Sequence, residues 1–152
     1  MSIVTKLNYS FDFQELKNVC LRFIADNKEF FLSKHLDGAS KQLSLQHSAE
    51  PKLNKVIDGI GRTDNYKNFS ILNYNVLNNF FNNTIVEKII KDYNLYRSRL
   101  LQLNYKECYS VHKDLEKRIH IPIKTNSKSF MVFPEDNEIH YLQEGNVYLV
   151  DT

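Results

Sequence analysis

Apolar positions along this chain follow two different periods. Over Phe13–Ile24 (FQELKNVCLRFI), the residues Leu16, Val19, Cys20, Phe23 and Ile24 recur at helical spacing and predict an amphipathic helix. A second helix is predicted over Thr84–Tyr93 (TIVEKIIKDY). Ile85, Val86, Ile89 and Ile90 form its apolar side, and Thr84 with Glu87 has the spacing of a capping box. Between them, Lys41–His47 (KQLSLQH) alternates Leu43 and Leu45 with polar neighbours, the pattern of a short strand. Pro51–Asn68, with Gly59, Gly61 and scattered polar residues, reads as a loop.

From Arg99 onward the period falls to two. Short apolar segments at Arg99–Leu103, Glu107–His112, Arg118–Ile123, Ser129–Phe133, Glu138–Leu142 and Asn146–Asp151 are separated by turn-like stretches. Strands at this spacing predict a sandwich or small barrel. With no repeat or linker in between, the simplest reading is one α+β domain over 1–152. A helical and mixed part, 1–96, precedes a strand-rich core, 97–152.

Composition narrows the classes. The 152 residues are 42% hydrophobic and 25% charged, which argues against wholesale disorder. A net charge of +2 gives no electrostatic reason to expect nucleic acid or an anionic membrane as partner. No apolar run approaches the roughly 20 residues of a membrane span, and the N-terminal stretch lacks the continuous apolar run of a signal peptide. A cytoplasmic location is the default expectation. Two distant cysteines, Cys20 and Cys108, exclude a disulfide framework or a Cys-rich zinc site. Abundant Asn (Asn78, Asn79, Asn82 and Asn83 cluster) and an excess of Lys over Arg read as AT-rich coding, as in a phage or an AT-rich bacterium.

Candidate chemistry concentrates in Cys108–Thr125 (CYSVHKDLEKRIHIPIKT). His112 and Asp114 form an H-x-D pair. If His112 ends a strand, Asp114 falls on the same side, and an imidazole nitrogen and a carboxylate oxygen converge on one metal ion. Two His and one carboxylate on one face of a metal suit non-haem Fe(II) with open positions. A surface His–Asp hydrogen bond is the plainer alternative. On the next segment Arg118 and His120 share one face of a strand, Ile119 and Ile121 the other. An Arg and a His on an inner wall are costly to bury unless they meet an anion, and a guanidinium fits a carboxylate bidentately. An exposed salt bridge, to Glu116 for example, explains the same pattern. His35 and His47 read as structural or surface residues. His140, between two strands, reads as a packed residue, with metal ligation as the alternative. Arg99 either faces a cavity or makes a salt bridge to the helix carrying Glu87, and Tyr105 and Tyr109 read as pocket lining or core.

Taken together in order, Arg97-Ser98-Arg99-Leu100, Cys108–Asp114 (CYSVHKD), Arg118–Ile123 (RIHIPI) and Glu144–Asp151 (EGNVYLVD) resemble the aspartyl/asparaginyl β-hydroxylase-like family. That family includes proline hydroxylases and phage-encoded relatives. The resemblance covers roughly Lys41 to the C-terminus and is strongest from Arg97. It implies a double-stranded β-helix, a cupin-like jelly roll, preceded by helices. It implies an Fe(II)- and 2-oxoglutarate-dependent dioxygenase that uses O₂ to hydroxylate a peptidyl Asp or Asn, free proline or another small amino acid. By the same resemblance His112 is the proximal metal ligand, and Asp114 is the carboxylate ligand that some members lack. Arg118 and His120 contact the 2-oxoglutarate carboxylate next to its keto group. Gly145–Asp151 corresponds to the strand leading to the distal histidine. That histidine, a further arginine for the far carboxylate and the last strands would fall beyond Thr152. The chain therefore reads as an incomplete reading frame of a normal enzyme, with a natural non-catalytic truncation as the alternative. Two other classes stay open: a non-catalytic jelly-roll module binding a small carboxylate through Arg118 and His120, and a phage structural domain.

Overall fold

The computed structural model describes residues 3–32, 34–35, 39–52, 54–61, 68–104, 106–109, 112–114 and 116–152. They fall into two compact units. One comprises residues 1–13 and 109–152; the other comprises 14–108. Both mix helices or turns with antiparallel strand pairs, and among the described residues no sheet closes into a barrel. No helix among them is long and apolar enough to cross a membrane.

In the unit 14–108, helix α1 (Phe13–Asp26) buries Leu16, Val19, Cys20 and Phe23, the stripe its periodicity predicts. Phe23 lies 5.0 and 4.6 Å from the rings of Phe80 and Phe81, the centre of this core. The helix stops at Asn27, whose side-chain amide donates to the Phe23 carbonyl at 2.9 Å, and a short helix α2 (Lys28–Leu32) follows. Strands β2 (Lys34–His35) and β3 (Ala39–Ser40) pair with each other.

The predicted strand over 41–47 divides into β4 (Gln42–Ser44) and β5 (Gln46–His47). The cause is a change of partner. Both Leu45 and Gln46 donate their N–H to the Ser98 carbonyl, at 2.9 and 3.3 Å. On one side of that point β5 pairs with β6 (Val76–Leu77). On the other, β4 pairs with β7 (Arg99–Leu101), matching Gln42 to Leu101 and Ser44 to Arg99.

Helix α3 (Ile85–Asp92) buries Ile85, Val86, Ile89 and Ile90, each contributing about 2 kcal/mol of transfer free energy. Its capping differs from the capping box. Thr84 Oγ1 donates to the Phe81 carbonyl at 2.7 Å instead of accepting from the first turn. Glu87 accepts from the Asn83 N–H at 2.6 Å, one residue earlier than a capping box requires. A carboxylate from α1 takes over, with the Ile85 N–H donating to Glu15 Oε1 at 3.2 Å, where the helix dipole favours negative charge. The other end is a Schellman motif. Asn94 adopts φ 50°, its N–H donates to Lys91 O at 3.2 Å, and the Leu95 N–H donates to Ile90 O at 2.9 Å.

The unit of 1–13 and 109–152 is built on a three-stranded antiparallel sheet. Strand β1 (Val4–Leu7) lies beside β11 (Val147–Val150), which pairs in turn with β8 (Arg118–His120). A hairpin of β9 (Met131–Phe133) and β10 (Glu138–His140) accompanies it, its turn closed by Asn137 at φ 56°. Val4, Tyr148 and Val150 form a buried cluster against which Met131, Phe133 and Leu142 pack. Gly145, at φ 73°, turns the chain into β11, and its N–H donates to Pro122 O at 3.1 Å. A Cβ there would stand 3.0 Å from the Phe13 ring, so the turn requires glycine on both conformational and steric grounds. Of the strand predicted over Glu107–His112, residues 107–109 and 112 are not in strand conformation, while Ser110 and Val111 lie outside the described residues.

Candidate functional site

Arg118 and His120 reach their places through strand alternation. In the register of β8 with β11, Arg118 stands opposite Val150 and His120 opposite Tyr148. Both share the sheet face of the Val4–Tyr148–Val150 cluster, and both are half-buried. The Tyr148 hydroxyl accepts from the Gln143 N–H at 3.0 Å, which anchors the loop before β11.

His112 and Asp114 arrive by a different route from the one alternation suggests, since His112 sits in an irregular segment. Their side chains nevertheless face each other, with His112 Nε2 at 3.6 Å from Asp114 Oδ1. Metal–ligand bonds of about 2.0–2.2 Å at roughly 100° place two donors about 3.2 Å apart, so a small shift lets one ion bridge this pair. The His112 side chain is half exposed, and its ring meets the Tyr109 ring edge-on at 6.3 Å. The Asp114 side chain is 18% exposed, and its backbone N–H donates to Thr152 Oγ1 at 3.1 Å.

The same Asp114 Oδ1 also accepts an ion pair from Arg118 Nη2. Three of the four candidate side chains therefore meet at one carboxylate oxygen. The arrangement suits two kinds of chemistry: a cation shared by His112 and Asp114, or a carboxylate gripped by Arg118. Among the described residues no three His, Cys, Asp or Glu side chains come together, so they offer an ion these two donors.

The remaining candidates lie elsewhere. His140 Nε2 contacts Glu138 Oε2 at 2.7 Å, with its ring against Phe133, a hydrogen-bonded and packed residue. His47 is buried and its Nδ1 lies 2.7 Å from the Ser48 carbonyl oxygen, which fixes its tautomer as donor there. The side chain of His35, and Tyr105, lie outside the described set. Arg99 donates to Gln42 Oε1 at 3.3 Å, and Glu87 is held by Lys91.

One polar assembly escaped the sequence reading. Arg97, at φ 54° and buried, donates to the carbonyls of Gly59 (2.7 Å) and Gly61 (2.8 Å), with the Phe69 ring 4.9 Å from its guanidinium carbon. Gln42, Ser44, Gln46 and Asp58 are buried around the same strands. Asp58 accepts from the Ser48 N–H and hydroxyl at 2.8 and 2.6 Å. The alternation in KQLSLQH separates the Gln and Ser face from the Leu face. Only tertiary packing covers both. No protein-family profile and no curated protein matches the sequence.

Proposed function

We propose that this chain carries part of the site of an Fe(II)- and 2-oxoglutarate-dependent dioxygenase on a jelly-roll fold, hydroxylating an amino acid or a peptidyl residue of the Asp, Asn or Pro type. The observation that carries it is the convergence of His112, Asp114 and Arg118 at one carboxylate oxygen. The antiparallel β1-β11-β8 sheet, with a hairpin packed on its Val4–Tyr148–Val150 cluster, supports the jelly-roll part of the reading. The motif resemblance from Arg97 to Asp151 supports the rest.

When bound, Fe(II) with 2-oxoglutarate and O₂ supplies hydroxylation of an unactivated C–H bond, with succinate and CO₂ as products. The protein's own groups have simpler duties. His112 and Asp114 would hold the cation, with the Tyr109 ring edge-on to the imidazole at 6.3 Å. Arg118, now paired with Asp114, would be the guanidinium available to the co-substrate carboxylate. His120, on the same face two residues on, adds a second polar contact for that carboxylate.

The test is succinate formation from 2-oxoglutarate, with Fe(II) and O₂, by the full-length protein. Turnover is expected, with His112→Ala and Asp114→Ala abolishing it at unchanged far-UV circular dichroism. A parental rate in either variant overturns the ligand assignment. One observation favours a second reading: Asp114 already has a cationic partner, as a structural ion pair would. A non-catalytic carboxylate-binding module then binds 2-oxoglutarate through Arg118 without turnover, and its affinity is indifferent to Fe(II).

A further inference from the structure

Strand β9 of the β9–β10 hairpin is apolar on both sides. One face carries Met131 and Phe133, packed against the Val4–Tyr148–Val150 cluster. The other carries Val132 and Ile139, directly opposite each other in the register, with Phe130 and Tyr141 two residues further along. The rings of Phe130 and Tyr141 lie 5.8 Å apart. These four side chains are 53%, 50%, 57% and 59% exposed, in the order Phe130, Val132, Ile139, Tyr141. An antiparallel hairpin with one wet face alternates apolar and polar residues. Phe130-Met131-Val132-Phe133 has no polar position, the pattern of a strand covered on both sides.

We infer that this face is the contact between two copies of the chain, packed hairpin on hairpin across a two-fold axis. The face itself holds no charge, so two copies meet without repulsion. Opposite charges stand at its two ends. Lys128 precedes Phe130, and Asp136 lies in the turn beyond Phe133; both are exposed. Among the described residues neither forms an ion pair, although Asp136 acts at longer range on Lys113. A two-fold axis level with the Met131–His140 pair and perpendicular to the strands lays the open end of one hairpin over the turn of the other. Lys128 lies in the turn of residues 126–129 just before β9 and Asp136 in the turn that follows β9, so the two charges stand at opposite ends of the hairpin. Each Lys128 then reaches Asp136 of the second copy, twice per dimer, as an isologous contact requires.

Area sets the strength. Four half-exposed side chains of this size offer roughly 400 Å² per copy. Stable specific interfaces bury about 800 Å² per partner, so the dimer belongs to the weak, transient class.

The test is sedimentation velocity of the full chain from about 1 μM to about 1 mM at low salt. A monomer–dimer conversion in the upper part of that range is expected. Ile139→Asp should abolish it, with folding checked by circular dichroism. Lys128→Glu should weaken it at least about tenfold, and Lys128→Glu with Asp136→Lys should restore it to within about threefold, because the two-fold axis swaps both charges together. These two exposed positions decide the matter even if Ile139→Asp fails to fold. A wild-type chain that stays monomeric throughout, a dimer indifferent to Ile139→Asp, or a charge reversal without rescue each overturns the proposal.

Discussion

Asp114 Oδ1 sits between an imidazole and a guanidinium, and the two neighbours make different demands on it. As a structural partner of Arg118 it contributes little, because a partly exposed pair is worth about 0–1 kcal/mol. Asp114→Asn is therefore expected to lower stability by no more than about 1 kcal/mol in a denaturant titration, while eliminating, on the proposed function, divalent-metal binding by the full-length protein. A loss of several kcal/mol with metal binding intact would reverse those roles. The two cysteines differ as sharply. Burial pushes the Cys20 thiol up to about 12, whereas Cys108 is exposed. Iodoacetamide at neutral pH is expected to label Cys108 alone in the native protein, and both residues in denaturant, as read by peptide mass. The sign of the Cys20 effect follows from linkage. Its contribution is complete below the unfolded thiol value of about 8.5 and is lost as pH rises towards the folded value. The H-x-D spacing was legible in the sequence. The route that brings its members together was not, because His112 lies in irregular backbone where periodicity carries no direction.

At the scale of elements, the helices were the most legible feature, and their ends the least. The apolar stripes of α1 and α3 follow from residue order alone. The N-terminus of α3 depends on Glu15, 70 residues away, which no local motif announces. Glu87 reports on the same helix. The Lys91 ammonium, then the Asn83 N–H, hold its carboxyl below the usual carboxylate range. Its contribution is present above the unfolded carboxyl value of about 4.3 and disappears as pH falls through the lower folded value. Glu87→Gln should therefore narrow the stability gap to wild type on acidification, measured as denaturation midpoints from pH 7 downwards. Gly59 tests the strand region. It has φ 71°, and a Cβ would stand 2.5 Å from the Tyr74 ring. Gly59→Ala is expected to cost about 2 kcal/mol or more in the same assay, and a neutral result would mean that the Tyr74 ring has room to yield.

For the whole molecule, the telling pairing is β1 with β11, which joins the first strand to the last. Val4 reaches the cluster formed with Tyr148 and Val150 only through that closure. Removing residues 1–8 should expose the β11 edge and its apolar face, seen as dye binding and loss of cooperative unfolding in the unit of 1–13 and 109–152. Sequence alone determined the helical stripes, the short strands after Arg99 except the one predicted over Glu107–His112, and the chemical inventory around His112, because these depend on neighbours within one or two turns of chain. Tertiary structure alone decided which strands pair, that Arg118 meets Asp114, that the polar face of Gln42, Ser44 and Gln46 is buried, and that Asp58 and Arg97 are buried with it. Apart from the Arg118–Asp114 pair, four residues apart, most of those outcomes rest on contacts between residues ten or more positions apart. Periodicity records which side of an element is apolar, and leaves open what that side will meet.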